Sequence, residues 1–264
     1  MNVPQRSLHS RSLQDAVSAA EWQTRVELAA CYRLIAHYGM TDQIFIHITA
    51  RVPGGDHYFL INPYGMLYEE VTASSLYKID LDGNIILKPD TPYGINYAGF
   101  VIHSAVHAAR EDAQCVIHTH TRAGTAVSAM KCGLLPISQH SLRFFERVSY
   151  HDYEGPALNL DERKRLIDDL GYNDVMILRN HGTLNIGRDI PEAFCMAICL
   201  EWACRIQVDA LAGGGELTIP SRAASEARAA LRSRPVDAEN ARSGSLEWSA
   251  MLRILEKNDP SYAT

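Results

Sequence analysis

The hydrophobic pattern of this 264-residue chain switches between helical spacing and short extended runs. Apolar residues at helical spacing over residues 16–39 predict a helix that ends at a C-cap glycine, Gly39. Residues 44–52 then alternate as a strand, and residues 58–61 return after a Pro-Gly-Gly-Asp turn, which predicts a hairpin. The segments on either side of Asp82-Gly83-Asn84 predict a second hairpin.

The rest of the chain alternates predicted helices with buried apolar runs. Helices are predicted over residues 99–110, 161–171 and 191–212, and the runs at 113–117 and 175–178 are typical of buried strands in a mainly parallel sheet. Together these elements predict an α/β protein, a three-layer α/β/α domain with a central mixed sheet. We expect a flexible tail over residues 1–19, this domain over 20–215 and a C-terminal helical extension over 216–264.

Histidines follow both of the buried apolar runs. His118 and His120 are two residues apart, so on an extended chain their imidazoles lie on the same side, and His181 follows the second run. Three imidazoles with one open position form a catalytic zinc-type site, in which the metal acts as a Lewis acid. Each histidine taken alone is more typical of a hydrogen-bonded or surface residue. The helical pairs His103/His107 and Cys195/Cys199 are weaker metal-site alternatives.

Charge and cysteine content narrow the range of partners. The formal net charge of −6 and the absence of a Lys/Arg-rich run argue against nucleic acid binding. The sequence contains no run of 18 apolar residues, so no membrane span is predicted. The six cysteines lack CxxC spacing, which indicates reduced thiols and a cytoplasmic location. No serine lies in a GxSxG motif, which argues against a nucleophilic hydrolase.

Four segments of the chain resemble one known family. They are the FVIHSAVHAAR run at residues 100–110, the HTH motif at 118–120, the AVSAMKCGLLPI run at 126–137 and the RNHG motif at 179–182. Over about residues 20–212 the chain resembles the class II aldolase/adducin family, especially the adducin head. The resemblance implies a three-layer fold with a nine-stranded sheet, zinc ligands at the three histidines, and a homotetramer with active sites at subunit interfaces.

Two departures from the aldolase pattern limit what the resemblance implies. Where aldolases carry an acid/base glutamate this chain has Gly99, preceded by Tyr97-Ala98 in place of a Ser-Ser pair. The phosphate-binding loop is replaced by residues 44–47, Ile-Phe-Ile-His. Neither glycine nor these apolar side chains supply a proton carrier or hold a phosphate dianion. We therefore expect the metal to be kept and a sugar-phosphate substrate to be lost.

Other side chains could replace the missing glutamate. His140 ranks first, since it lies where the aldolases tend to carry a catalytic tyrosine, and Tyr97 and Tyr150 are further candidates. The remaining possibilities are His151, Asp152, Glu69 and Glu70.

Two functional hypotheses follow. The first is a divalent-metal-dependent lyase, using zinc or alternatively manganese, that cleaves a small oxo or hydroxy carbonyl compound by retro-aldol reaction or decarboxylation. Decarboxylation needs no base, so Gly99 would be no handicap. The second is a catalytically silent adducin-like interaction module, and only this hypothesis includes an actin or other cytoskeletal partner.

Overall fold

A single sheet of eight strands organises the described part of the chain. The computed structural model describes residues 10–55, 57–155, 161–231 and 245–264. Within these residues the strand order is β4-β3-β2-β1-β5-β8-β7-β6. The strands are β1 His47–Arg51, β2 Phe59–Ile61, β3 Tyr77–Ile79, β4 Ile85–Leu87, β5 Cys115–Thr119, β6 Val148–His151, β7 Val175–Leu178 and β8 Gly182–Gly187.

The expectation of a mainly parallel sheet is wrong. Only β6 and β7 pair in parallel, and every other neighbouring pair is antiparallel. Short connections such as residues 179–181, between β7 and β8, allow only antiparallel pairing. The apolar runs were misleading because helices cover both faces of the sheet, which gives continuous burial whatever the strand direction. The described residues contain eight strands rather than the nine that the resemblance implies.

Eight α-helices are described, and their limits follow local signals. They are α1 Ser10–Ala16, α2 Ala19–His37, α3 Tyr97–Ala109, α4 Arg122–Ser128, α5 Glu162–Leu170, α6 Ile190–Ala212, α7 Arg222–Ala230 and α8 Ser245–Asn258. The side chain of Ser18 caps the start of α2 by accepting from the Glu21 N–H. At its end the N–H groups of Gly39 and Met40 donate to the carbonyls of the last turn, as predicted for a C-cap glycine.

Helices pack on both faces of the sheet, which confirms the three-layer α/β/α prediction. On one face α2, α6 and α8 pack on β1, β2 and β5, with Leu34, Ile117 and Phe194 in one core cluster. On the other face α3 and α5 pack through Val106 and Leu166. Within the described residues no helix is both long and apolar enough to cross a bilayer.

The described segments nearest the two ends of the chain, α1 and α8, pack on this domain. Residues 1–9 of the expected flexible tail lie outside the described residues, but residues 10–16 form α1 and Leu13 is buried, so the tail does not extend that far. In the C-terminal extension Trp248 and Leu255 of α8 are buried in the α2/α6 core, while Leu246 stays exposed. Most of the apolar face of α8 is therefore used within the chain and does not call for a partner subunit.

Candidate metal centre

The structure brings the three predicted ligand residues together. Nε2 of His120 lies 2.7 Å from Nε2 of His118 and 2.9 Å from Nε2 of His181. One ligand atom from each residue can be chosen so that all three lie within 4.8 Å of one another. Two of the residues come from the end of β5 and the third from the turn before β8, which pairs with β5. The three histidines are therefore close enough to coordinate a single metal ion.

The outer nitrogens of two rings are held by groups that only accept hydrogen bonds. Nδ1–H of His118 donates to the carbonyl of Thr183 at 3.0 Å, and Nδ1–H of His120 donates to the carboxylate of Asp42 at 3.1 Å. A neutral imidazole with a proton on Nδ1 has its lone pair on Nε2. The lone pairs therefore face one another, which is unfavourable without a cation between them. Carbonyl and carboxylate partners of this kind accompany metal-binding histidines.

Burial keeps the rings of His118 and His181 in the neutral form that a metal ligand needs. It lowers the pKa of His118 well below the ordinary value, and the neighbouring His120 and His181 lower it further. The pKa of His181 falls to about 4, again because of burial first and His120 second. Both rings are then uncharged at neutral pH and their lone pairs are available.

Local backbone geometry explains the RNHG motif. Asn180 has a positive φ of 54° in the tight turn between β7 and β8, and the His181 N–H donates to the carbonyl of Leu178 at 3.1 Å. A Cβ atom on Gly182 would lie 2.3 Å from the carbonyl oxygen of Thr119. Only glycine lets β8 approach β5 this closely, and that approach positions His181 beside the other two histidines.

A cavity of about 440 Å³ opens beside the three histidines. Among its described lining residues there is no lysine or arginine. The lining consists of Asp42, Phe45, His47, Asn96, Ile102, His118, His120, Thr125, Tyr153, Gly155, Asn180 and His181. From the described wall this chain therefore offers a small polar ligand imidazole, carboxylate, amide and hydroxyl groups, and no lysine or arginine side chain.

None of the three catalytic candidates lines this cavity within one chain. The ring of His140 stacks 6.3 Å from that of Trp202, and Tyr97 is 51% exposed beside Phe100. The hydroxyl of Tyr150 accepts a hydrogen bond from the Leu134 N–H. A contribution of His140, Tyr97 or Tyr150 to the site of a neighbouring subunit stays a prediction.

The remaining candidates have other partners. His151 donates through Nδ1 to the carboxylate of Asp169 at 2.7 Å, and both it and Asp152 line a much smaller neighbouring pocket. Glu69 and Glu70 lie in an exposed turn of 3-10 helix, in which Glu70 accepts from the Leu67 N–H.

The side chains of the two alternative metal-binding pairs, His103/His107 and Cys195/Cys199, have surroundings that do not favour a metal ion. Both His103 and His107 are hydrogen-bonded to the hydroxyl of Thr49, at 2.7 and 2.8 Å. Cys195 has a pKa raised to about 12, chiefly by burial, which keeps its thiol protonated and a poor ligand.

Sequence reasoning missed two residues at the site, Asp42 and His47. Asp42 precedes β1 and orients His120. His47 begins β1, is paired in register with His118, and has its ring centroid 5.1 Å from that of His118. The sequence did contain a signal for His47. This histidine lies in the alternating strand segment, and Gly99 has no side chain where aldolases carry a glutamate. Together these features suggest that the histidine takes the place of the glutamate side chain.

Comparison with known proteins identifies the family. Residues 26–208 match the family model described as Class II Aldolase and Adducin N-terminal domain. The chain is 52% identical over 259 residues to a putative aldolase class 2 protein of Caulobacter vibrioides, covering 97% of this chain and 98% of that protein. This chain therefore belongs to the class II aldolase/adducin family.

Two further relatives show both branches of the family. Alpha-adducin of Rattus norvegicus is 49% identical over 201 residues, covering 76% of this chain but only 27% of that protein. A solved L-fuculose 1-phosphate aldolase from Glaciozyma antarctica PI12 superposes with a TM-score of 0.80 at 25% identity, covering 98% of this chain and 96% of that one. The α/β fold that we derived from the sequence is thus the class II aldolase fold.

Proposed function

We propose that this protein is a divalent-metal-dependent lyase that cleaves a carbon–carbon bond next to a carbonyl group in a small oxo or hydroxy compound. The observation that carries the proposal is the convergence of three imidazole nitrogens, of His118, His120 and His181, beside a cavity. His118 and His120 are oriented by Thr183 and Asp42, as metal-binding histidines usually are. Membership of a family that includes aldolases supports it.

The donor set suits zinc, with manganese as the alternative. Three neutral imidazoles are ligands typical of a catalytic zinc ion. A bound divalent ion supplies a Lewis acid that stabilises negative charge on the oxygen of an enolate by several kcal/mol, and both retro-aldol cleavage and decarboxylation leave such an enolate. The protein's own part is to hold the three rings, to keep His118 and His181 neutral by burial, and to shape the cavity around the carbonyl compound.

We further propose a cytoplasmic location. None of the six cysteines forms a disulfide, and Cys31, Cys115, Cys195 and Cys204 are buried. Burial raises the pKa values of these four thiols, which keeps them unreactive. Cysteines that form no disulfides are typical of proteins that work in the cytoplasm.

Sugar phosphates are expected to be poor substrates. The described cavity wall has no lysine or arginine to hold a phosphate dianion, and Gly99 supplies no acid/base group. With the Glaciozyma enzyme as a positive control, release of dihydroxyacetone phosphate from L-fuculose 1-phosphate or ribulose 1-phosphate should stay below about 1% of the control rate. A turnover comparable with the control would show that this chain or its neighbour holds phosphate by groups outside the described wall.

The protein is expected to form a homo-oligomer, most simply a tetramer. Phe45 and Tyr153 line the cavity and are 44% and 56% exposed, and Trp202 is 46% exposed beside His140. Exposed aromatic side chains around a cavity mouth are typical of surfaces that another subunit covers. Light scattering should give about four times the chain mass of 29.3 kDa. A mass equal to that of one chain would remove any role of His140 in a shared site.

A second candidate function rests on the similarity to alpha-adducin. In this alternative the chain is a catalytically silent interaction module with an actin or other cytoskeletal partner. The similarity is high, but it covers only the part of that protein that matches this domain. If purified protein bound actin filaments equally well with and without His118 while no carbonyl compound turned over, the alternative would replace the lyase.

A further inference from the structure

His47 lines the cavity and has one ring nitrogen, Nε2, that makes no hydrogen bond among the described residues. Its side chain is 3% exposed, yet the residue lines the cavity wall beside Asn96 and His118. Nδ1 of His47 is hydrogen-bonded to Nε2 of His103 at 2.9 Å. Within the described residues no hydrogen bond is made by Nε2 of His47. Whether Nε2 carries a proton or a lone pair therefore decides what it can recognise.

A buried chain of hydrogen bonds settles this point, starting at a backbone carbonyl. Nδ1 of His107 lies 3.0 Å from the carbonyl oxygen of Ala113, which only accepts, so Nδ1 carries the proton. Nε2 of neutral His107 is then a lone pair, and the hydroxyl of Thr49 must donate to it at 2.8 Å. The single hydroxyl proton of Thr49 is thereby used. Towards His103 the same oxygen can only accept.

The chain continues through His103 to His47. Nδ1–H of His103 donates to the oxygen of Thr49 at 2.7 Å, which leaves a lone pair on Nε2 of His103. Nδ1–H of His47 donates to that lone pair, so Nε2 of His47 is itself a lone pair. These tautomers require neutral rings, and all three rings are buried. Burial first, with the charge of Arg51 second, lowers the pKa of His107, where the chain starts, to about 3.

The position of the ring is fixed as well as its tautomer. A Cβ atom on Gly99 would lie 2.2 Å from Cδ2 and 2.5 Å from Nε2 of His47, so the imidazole rests directly against the glycine backbone. The ring of His47 can therefore take this position only because residue 99 has no side chain. A side chain at position 99 would displace the ring.

We propose that Nε2 of His47 is the hydrogen-bond acceptor that recognises a hydroxyl group of the substrate beside the three histidines. The substrate is then a hydroxylated carbonyl compound rather than a plain oxo acid, an inference that rests on the proposed lyase function. His47 is separate from the set of three ligand atoms that lie within 4.8 Å of one another, although its ring centroid is only 5.1 Å from that of His118. Its lone pair therefore suits a group next to the bound carbonyl.

The tautomer is tested without substrate or metal. Neutron crystallography of the metal-free protein, which locates imidazole hydrogens, should show Nδ1–H and a bare Nε2 on each of His47, His103 and His107. A hydrogen on Nε2 of His47 would make the ring a donor and would overturn the proposal.

Ligand recognition is tested with zinc-loaded protein and hydroxamates that bind zinc through the same head group. Acetohydroxamate lacks a hydroxyl on its carbon chain, whereas glycolohydroxamate and 3-hydroxypropanohydroxamate each carry one. By calorimetry, at least one hydroxylated probe should bind about tenfold more tightly than acetohydroxamate, the gain from one good hydrogen bond. His47→Asn retains a donor towards His103 but has no group at the Nε2 position, and His47→Phe retains the ring shape without nitrogen.

Both variants should lose the hydroxyl preference, to within about twofold, while acetohydroxamate binds within about threefold of its wild-type affinity. No hydroxyl preference in the wild-type protein, or the same preference in a folded variant, would overturn the role of His47. If acetohydroxamate fails to bind zinc-loaded wild-type protein, the metal centre itself fails, and the proposal for His47 fails with it. Gly94→Ala, where a Cβ atom meets nothing within 4 Å, is the matched control for Gly99→Ala, which should lose the preference.

Discussion

The His118→Ala variant should lose at least about 1,000-fold of its lyase turnover, because the enolate oxygen would lose the positive charge that stabilises it. His118 is the most buried of the three histidines, is fixed by the carbonyl of Thr183, and is 2.7 Å from His120. The assay offers small hydroxy and oxo carboxylic acids to metal-loaded protein and measures released CO2 or aldehyde. At least one substrate should turn over in the wild-type protein.

The control for this experiment is His37→Ala. His37 is an exposed histidine in the last turn of α2, where its ring packs against Tyr38. Its removal should leave the rate unchanged. If every substrate fails with wild-type protein that contains metal, or if His118→Ala retains the full rate, the proposed lyase function is wrong.

Each of His118→Ala, His120→Ala and His181→Ala should weaken zinc binding at least about 100-fold, since two imidazoles hold a divalent ion far less well than three. Asp42→Asn should have a smaller effect, of about 10-fold, because it removes only the carboxylate that orients His120. Dissociation constants come from competition with a chromophoric chelator. Circular dichroism checks that each variant is folded, and His37→Ala again serves as the unchanged control.

Equal zinc affinity in the wild-type protein and the three triad variants would place the metal elsewhere. A loss confined to one variant would show that the three residues do not act as one ligand set. The graded effect of Asp42→Asn separates a carboxylate that orients a ligand from one that binds the ion, since the latter would weaken binding as much as a histidine substitution does.

The sequence was sufficient to predict α2, α3, α5 and α6, both hairpins and the grouping of the three histidines, but not α1, which lies in the expected flexible tail. Those features depend on local signals, such as the glycine at the end of α2, and on the fact that His118 and His120 follow one buried run. Strand direction was not predictable from the same runs. Burial on both faces produces a continuous apolar segment in parallel and antiparallel sheets alike.

The surroundings of the histidines were harder to predict because they depend on register between distant strands. His47 lies 56 residues from His103 along the chain, and only the pairing of β1 with β5 places it beside His118. Asp42 lies 78 residues from His120. The cavity of this chain is lined by none of the candidates His140, Tyr97 and Tyr150. Their contribution to a site in a neighbouring subunit stays a prediction.

The central claim is that the three histidines form a metal centre, and elemental analysis of the purified wild-type protein tests it most directly. After dialysis against zinc and then against buffer without metal, the folded protein should retain about one divalent ion per chain. Retention of no ion by protein that is folded by circular dichroism would contradict the metal centre and, with it, the lyase that we propose.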